Sequence, residues 1–436
     1  MKDDVVTVVG GGLAGCESAL QLLSRGFGVK MYEMRPVRGT GAHTTDDLAE
    51  LVCSNSLKSE GGDTASGAFK DELDEMGCRL LPLARECRVP SGSALAVDRE
   101  KFSAAVEREL FAYPRFELVR EEIKSVPEAP AIIATGPLTS DALAEKLTAL
   151  TGEENLHFYD AVAPIVDFSS VDMSKAYFGG RYGKGGDDYL NLPMNKEEYL
   201  AFREALVEAK TVVLRDFEKK ELFEGCMPIE EIARRGEDAM RFGPLRPVGL
   251  RNPATGESAY AVVQLRRENT AGDCYNMVGF QTNLTFGEQK RVFGMIPALA
   301  QAEYLRFGVM HRNTYLCSDG RINENFRFAG KDMLYVAGQL TGVEGYVESI
   351  MSGLVAAVSL AREMSGESAA VPPETTVTGA LCRYVAAARA GFQPMNANFG
   401  LLPYAEGVGK KERKKYYRDR AVRDIIRFVS DTRYRD

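Results

Sequence analysis

Residues 5 to 33, VVTVVGGGLAGCESALQLLSRGFGVKMYE, constrain this chain more than any other stretch. A β-branched apolar run gives way to glycines, then to apolar residues at helical spacing, then to a second strand that ends in an acid. The order is strand, tight turn, helix, strand, which predicts an α/β region built on a Rossmann-type dinucleotide fold. Gly10 permits the tight turn, Gly12 lets the backbone approach a pyrophosphate, and Gly15 lets the helix lie close to the strand. Together with Gly11, Leu13 and Ala14 they would hold the phosphates at the positive helix end. Glu33 stands where an acid accepts hydrogen bonds from an adenosine ribose. The fingerprint does not by itself separate NAD from FAD.

Three later stretches favour FAD. Residues 97–111, VDREKFSAAVERELF, read as an amphipathic helix, and 129–137, APAIIATGP, as a buried strand ending in Thr-Gly-Pro. Residues 332–357, DMLYVAGQLTGVEGYVESIMSGLVAA, read as strand, Gly-rich turn and helix. The last two resemble the segments that complete the flavin pocket in two-domain flavoproteins of the glutathione-reductase type. Gly338, Gly342 and Gly345 would let backbone amides approach the flavin, and the helix after them would aim its positive end at a reduced isoalloxazine.

Almost two hundred residues separate these segments, so the flavin domain must be assembled around an insertion. The expected division is 1–165 for the first part of the FAD-binding domain, 166–320 for an inserted α/β substrate domain, and 321–436 for the completion and a basic helical tail. The insertion contains a glycine-rich loop (178–189), a helix (195–209) and a β-rich stretch (259–284).

The net charge of −8 excludes a generally basic nucleic-acid coat protein but leaves room for a local basic face. The tail provides one: GVGKKERKKYYRDRAVRDIIRF, residues 407–428, sets Lys410, Lys411, Lys414 and Lys415 among Tyr416 and Tyr417. Such a run either neutralises phosphates, with the tyrosines on bases or sugars, or forms a solvated helix face. The eight cysteines include no C-x-x-C, and with three histidines they give no metal-ligand spacing, so neither a bound metal nor a disulfide framework is expected. No signal peptide fits before the first strand, and no uncharged apolar run would span a bilayer. The expectation is a cytoplasmic protein with no membrane association and no obligate protein partner.

Two cysteines have unusual neighbours. Cys226, in FEGCMPIEEIARR (223–235), precedes Pro228, Glu230 and Glu231, which suit the first turn of a helix. A helix N-terminus favours thiolate, and the adjacent glutamates oppose it. Cys53, in ELVCSNSLKSE (50–60), is followed by Ser54, Asn55 and Ser56, which either bind a ligand or cap the next helix.

GGGLAGCE, YEMRP, ELVCSNSLKS, ALAVDREKF, FEGCMPIEE, MVGFQTNL and VAGQLTGVEGYVES together resemble the bacterial folate-dependent tRNA uracil-5-methyltransferase family, from residue 5 to about 420. The glucose-inhibited-division-type tRNA modifiers share the flavin motifs but carry a longer C-terminal helical region. The resemblance implies methylation of the T-loop uridine at tRNA position 54 to 5-methyluridine. Its carbon donor would be 5,10-methylenetetrahydrofolate and its reductant FAD, itself reduced by NADH or NADPH. Cys226 would add to uracil C6 and make C5 nucleophilic. Cys53 would act near C5 as proton acceptor or as guard of the nucleophile. Tyr346 and His311 are then candidates to stack on folate, and the arginines of QLRREN (264–269) to bind tRNA or the folate glutamate. Two other readings remain: an NAD(P)H-dependent flavin oxidoreductase acting on a small molecule, and a FAD-containing tRNA-binding folding factor.

Overall fold

Five parallel strands carry the fingerprint, in the order Leu334–Val336, Ala131–Ile133, Val5–Val9, Gly28–Glu33, Phe116–Arg120. The computed structural model describes residues 4–151, 156–183, 186–212, 227–316, 320–387 and 392–435. Both Ala131–Ile133 and Leu334–Val336 are wholly buried, as expected of strands covered on two faces. The helices Leu13–Ser24 and Tyr346–Met364 cross at Ala14 and Gly353, where a Cβ on Gly353 would collide with the Ala14 backbone. Ser18 Oγ donates to the Gly353 carbonyl at 3.0 Å across the same crossing. The fold is thus α/β, with a parallel Rossmann sheet between helices.

A second body has its own core. Six antiparallel strands run in the order Tyr177–Phe178, Tyr189–Met194, Ala261–Arg267, Cys274–Met277, Ile165–Asp167, Tyr304–Arg306. Helices Lys196–Glu208, Ile229–Arg234 and Phe286–Phe293 cover them, burying Phe202, Leu206, Ile229 and Phe293 against Leu192, Val263 and Leu265. The first of these helices begins with a capping box of Asn195 and Glu198. The chain enters and leaves this body through one antiparallel ribbon, Leu156–Ala161 paired with Met310–Tyr315. We place the inserted body between Val162 and Val309, whose backbones pair at 2.8 Å where the ribbon ends. Both limits fall on the N-terminal side of the expected 166 and 320.

A small sheet of Ser56–Ser59, Ala94–Val97 and Arg88–Val89, with Ala94–Val97 in the middle, lies on the first body where it meets the second. The C-terminal helix Arg413–Thr432 docks on the helix Ala65–Glu75, burying Tyr417, Ala421 and Ile425 and pairing Arg418 with Asp71 at 2.7 Å.

Candidate dinucleotide and thiol site

A cleft opens at the carboxyl ends of Val5–Val9 and Ala131–Ile133, the point where strand order reverses. That is where open α/β sheets bind ligands. Gly10 has φ +106°, and a Cβ there would collide with the Ala134 carbonyl; one on Gly15 would collide with Gly10. Gly12 differs: nothing lies within 4 Å of its Cβ position, so its backbone stays open to the cleft. It caps the helix Leu13–Ser24 without a side-chain hydrogen bond, and no acid sits in the first turn. The first N–H groups therefore have no competitor for a phosphate.

Glu33 is held before any ribose arrives. Its Oε2 accepts from Gly11 N at 2.8 Å, and its Oε1 accepts from Arg35 N at 3.0 Å and Arg35 Nε at 2.9 Å. Burial works against its charge, but the Arg35 and Gly11 bonds outweigh it and keep the carboxyl below its ordinary pKa. Arg35 also bonds Glu50 at 2.9 Å. These residues fit a dinucleotide: an open glycine backbone, uncapped helix amides and a fixed carboxylate.

The late turn divides its glycines. Gly338 (φ +80°) lines the cleft and donates to Ser352 Oγ at 2.7 Å. A Cβ on Gly342 would meet the Phe392 ring, and one on Gly345 would meet Glu348 and Lys58 Nζ, so these two shape the turn. The first-turn acid Glu348 offsets the positive end of the helix Tyr346–Met364 and is paired with Lys58 at 2.8 Å.

Cys53 sits beside the cleft, half-buried. The hydroxyl of Tyr346, a residue that lines the cleft, accepts from Cys53 N at 2.9 Å and Ser54 N at 3.1 Å, and lies 3.0 Å from Cys53 Sγ. A phenol oxygen has two lone pairs and one proton. With both lone pairs facing N–H groups, the proton points to sulfur, so Tyr346 donates to Cys53. Burial first, and the neighbouring Cys53 second, push the phenol well above its ordinary pKa, which keeps that proton in place. The contact of the Tyr346 hydroxyl with Cys53 is one the sequence did not signal.

Cys226 lies outside the described residues, which resume at Met227. Pro228 caps the helix Ile229–Arg234. Glu230 turns away from the helix start: Thr282 Oγ1 donates to it at 2.9 Å and Asn283 N at 2.7 Å, and burial raises its pKa. His311 falls on the ribbon strand, opposite Asp160, and its side chain lies outside the described residues.

Three expectations need correction. Asn55 neither caps a helix nor faces a ligand: it is buried, donating to Val97 O at 3.0 Å and Arg267 O at 2.8 Å and accepting from Arg266 Nε at 3.0 Å. The arginines of QLRREN serve structure, Arg266 on Asn55 and Arg267 on the Tyr275 hydroxyl at 3.0 Å. In the tail, Tyr417 is buried against Phe399 and accepts from Ala405 N, and Lys415 pairs with Asp419 at 2.7 Å. Lys410, Lys411 and Lys414 are exposed.

The sequence missed the seam around Cys53. Arg99 donates to the Leu51 carbonyl and pairs with Glu268 of the second body at 2.7 Å. Burial disfavours the charged Arg99, and Glu268 outweighs that, leaving its pKa above the ordinary value. Nothing local marks the pair, because its members are 169 positions apart.

A family profile described as glucose inhibited division protein A matches residues 5–368. A Bacillus subtilis (strain 168) protein named methylenetetrahydrofolate–tRNA-(uracil-5-)-methyltransferase TrmFO is 50% identical over 435 residues, covering 99% of this chain and 100% of its own. A protein of the same name from Bacillus cereus (strain G9842) is 51% identical over 433 residues, with 99% and 100% covered. Among solved structures, Aquifex aeolicus GidA superposes with a TM-score of 0.70 at 13% identity, covering 98% of this chain and 73% of that one.

Proposed function

The chain belongs to the methylenetetrahydrofolate–tRNA-(uracil-5-)-methyltransferase family, and from that premise we propose that it is a flavoenzyme methylating uridine in tRNA with methylenetetrahydrofolate as carbon donor. The finer reading is C5 methylation of the T-loop uridine at position 54, in the cytoplasm, with NADH or NADPH as the source of electrons. Among the described residues no helix is long and apolar enough to cross a membrane.

The fingerprint residues Gly10 to Gly15, with Glu33 and Gly338, would hold FAD in the cleft. Bound and reduced, that group supplies the hydride that completes the methyl. The chain's own residues do the rest. Cys226 adds to C6 of an extruded uracil, so that C5 attacks the one-carbon unit of the folate; tetrahydrofolate then leaves as the C5 proton is lost, and Cys226 is eliminated from C6 as the methyl is completed. Cys53 accepts the C5 proton. Tyr346 orients that sulfur and favours its anionic form by donating a hydrogen bond. The placement of Cys53 Sγ, 3.0 Å from a hydroxyl whose ring lines the dinucleotide cleft, is the observation that carries this reading.

The test is reconstitution. Protein, NAD(P)H, methylenetetrahydrofolate and an unmodified tRNA transcript are expected to yield 5-methyluridine. Cys226→Ser and Cys53→Ser are each expected to abolish product while keeping flavin colour. Product formed without folate, or with S-adenosylmethionine in its place, would refute the assignment.

A further inference from the structure

Phe286, Phe307 and Tyr304 form a ladder on the second body. Phe286 and Phe307 stack with centroids 4.9 Å apart at 20°, and Phe307 and Tyr304 at 5.4 Å and 21°. The ladder ends in solvent, since Phe286 is 55% exposed, and neither Phe286 nor Phe307 belongs to the cores of the two bodies. Lys290 Nζ lies 5.8 Å from the Phe307 ring. Arg306 extends from the edge strand, at an irregularity between Tyr304 and Arg306, to the Ala42 carbonyl of the first body at 2.9 Å. Among the described residues Lys290, exposed, is not paired with a carboxylate, whereas burial disfavours the charge on Arg306.

The ladder is fixed to both halves of the site. Gln289, buried, donates to Leu284 O and Gly308 O at 2.8 Å each and accepts from Gly308 N at 2.8 Å. The adjoining segment bonds the helix that follows position 226, through Ile229 N to Gln281 O at 2.7 Å and the Glu230 contacts. Arg306 reaches the residue before His43, which lines the dinucleotide cleft.

We propose that Phe286, backed by Phe307 and Tyr304, is a stacking platform for an unpaired base of the tRNA next to the target uridine, with Lys290 on a flanking phosphate. The proposal rests on the tRNA reading above. Every base offers a π-face, and a polyanion suits an exposed lysine beside an exposed ring. A free pterin would need an enclosing pocket, which this exposed ring does not provide.

The chain contains no tryptophan, so Phe286→Trp gives the holoenzyme a single one. Its emission should be quenched by an unmodified tRNA transcript and unaffected by tetrahydrofolate or by a blunt RNA duplex. Phe286→Ala should raise KM for tRNA about tenfold with KM for the folate, flavin content and melting temperature unchanged, and Phe286→Tyr should restore it. An unchanged KM for tRNA in Phe286→Ala, or quenching by tetrahydrofolate alone, overturns the platform. A wild-type enzyme that makes 5-methyluridine in the same assays leaves the parent reading intact; one that makes none removes both.

Discussion

In the flavin-side body the closest approaches are made by backbone: Gly10 against Ala134, Gly15 against Gly10, Gly353 against Ala14. In the inserted body, buried polar side chains do that work. Gln289 ties a helix to a loop, Glu230 ties another to residues 282 and 283, and Asn191 accepts from Gln264 at 2.9 Å within the sheet. Backbone approach tolerates one residue type, whereas a side-chain tie can be replaced by another of similar shape. The turn that faces the cleft is therefore fixed by its glycines, whereas the ties around Gln289 and Glu230 depend on side-chain shape.

The sharpest way to break this contrast is Gly15→Val. Its Cβ would strike the Gly10 carbonyl in the turn that cradles phosphate, so purified protein should lack flavin and melt far below wild type, read by absorbance and thermal scan. Retained flavin would show that the approach is not limiting.

Next in size is the seam. Arg99 and Glu268 are 16% and 5% exposed, and Arg99→Met leaves a buried carboxylate alone, an expected loss of about 3–5 kcal/mol in denaturant unfolding. Arg99→Met combined with Glu268→Leu should recover most of it. A loss below about 1 kcal/mol would mean the bodies are not locked there.

Much of the first body could be read in advance because its constraints are local. VVTVV, GVKMYE and the helix after Asp98 occur where periodicity and caps place them. Gly10 stands at the tight turn that its place in the glycine triplet predicted, with φ +106°. The cysteine motif ELVCSNS was recognisable, but its partners were not: Tyr346 is 293 positions away and Arg266 lies 211 from Asn55. Such pairings depend on how segments far apart in the chain pack together, and no period or cap encodes them. Tyr417 was misread because the segment at Phe399 and Ala405 folds back over it, which no period or cap signals.

A third prediction concerns Lys70, buried on the helix beneath the tail, with Nζ bonded to Ser59 O and Ser66 Oγ at 2.9 Å. Burial lowers its pKa to about 8; Glu348 and Glu60 pull it up, Lys58 and Arg85 down. Below pH 8 both folded and unfolded chains carry the proton, and the fold bears the full cost of the buried charge. From there to the unfolded value of about 10.4 the unfolded chain binds more protons, so stability rises with pH, by up to about 3 kcal/mol. Lys70→Met should lose this rise in denaturant titrations at pH 7 and 10.5. An equal rise in the variant would assign it elsewhere.

The smallest effect belongs to the tail. Neutralising Lys410, Lys411, Lys414 and Lys415 should make the salt dependence of tRNA binding shallower, by roughly 0.7–0.9 in log–log slope for each lysine on a phosphate. Lys415, already paired with Asp419, should contribute least. An unchanged slope would leave the tail a docking helix for the first body alone.

Both crossings between the bodies lie side by side in a single antiparallel ribbon. The ends of the inserted segment are therefore neighbours, and the whole of it can be removed or exchanged as a cassette without rethreading the parallel sheet. Any piece exchanged there would still have to meet Arg99 and Asn55, which reach from the first body to Glu268 and Arg266.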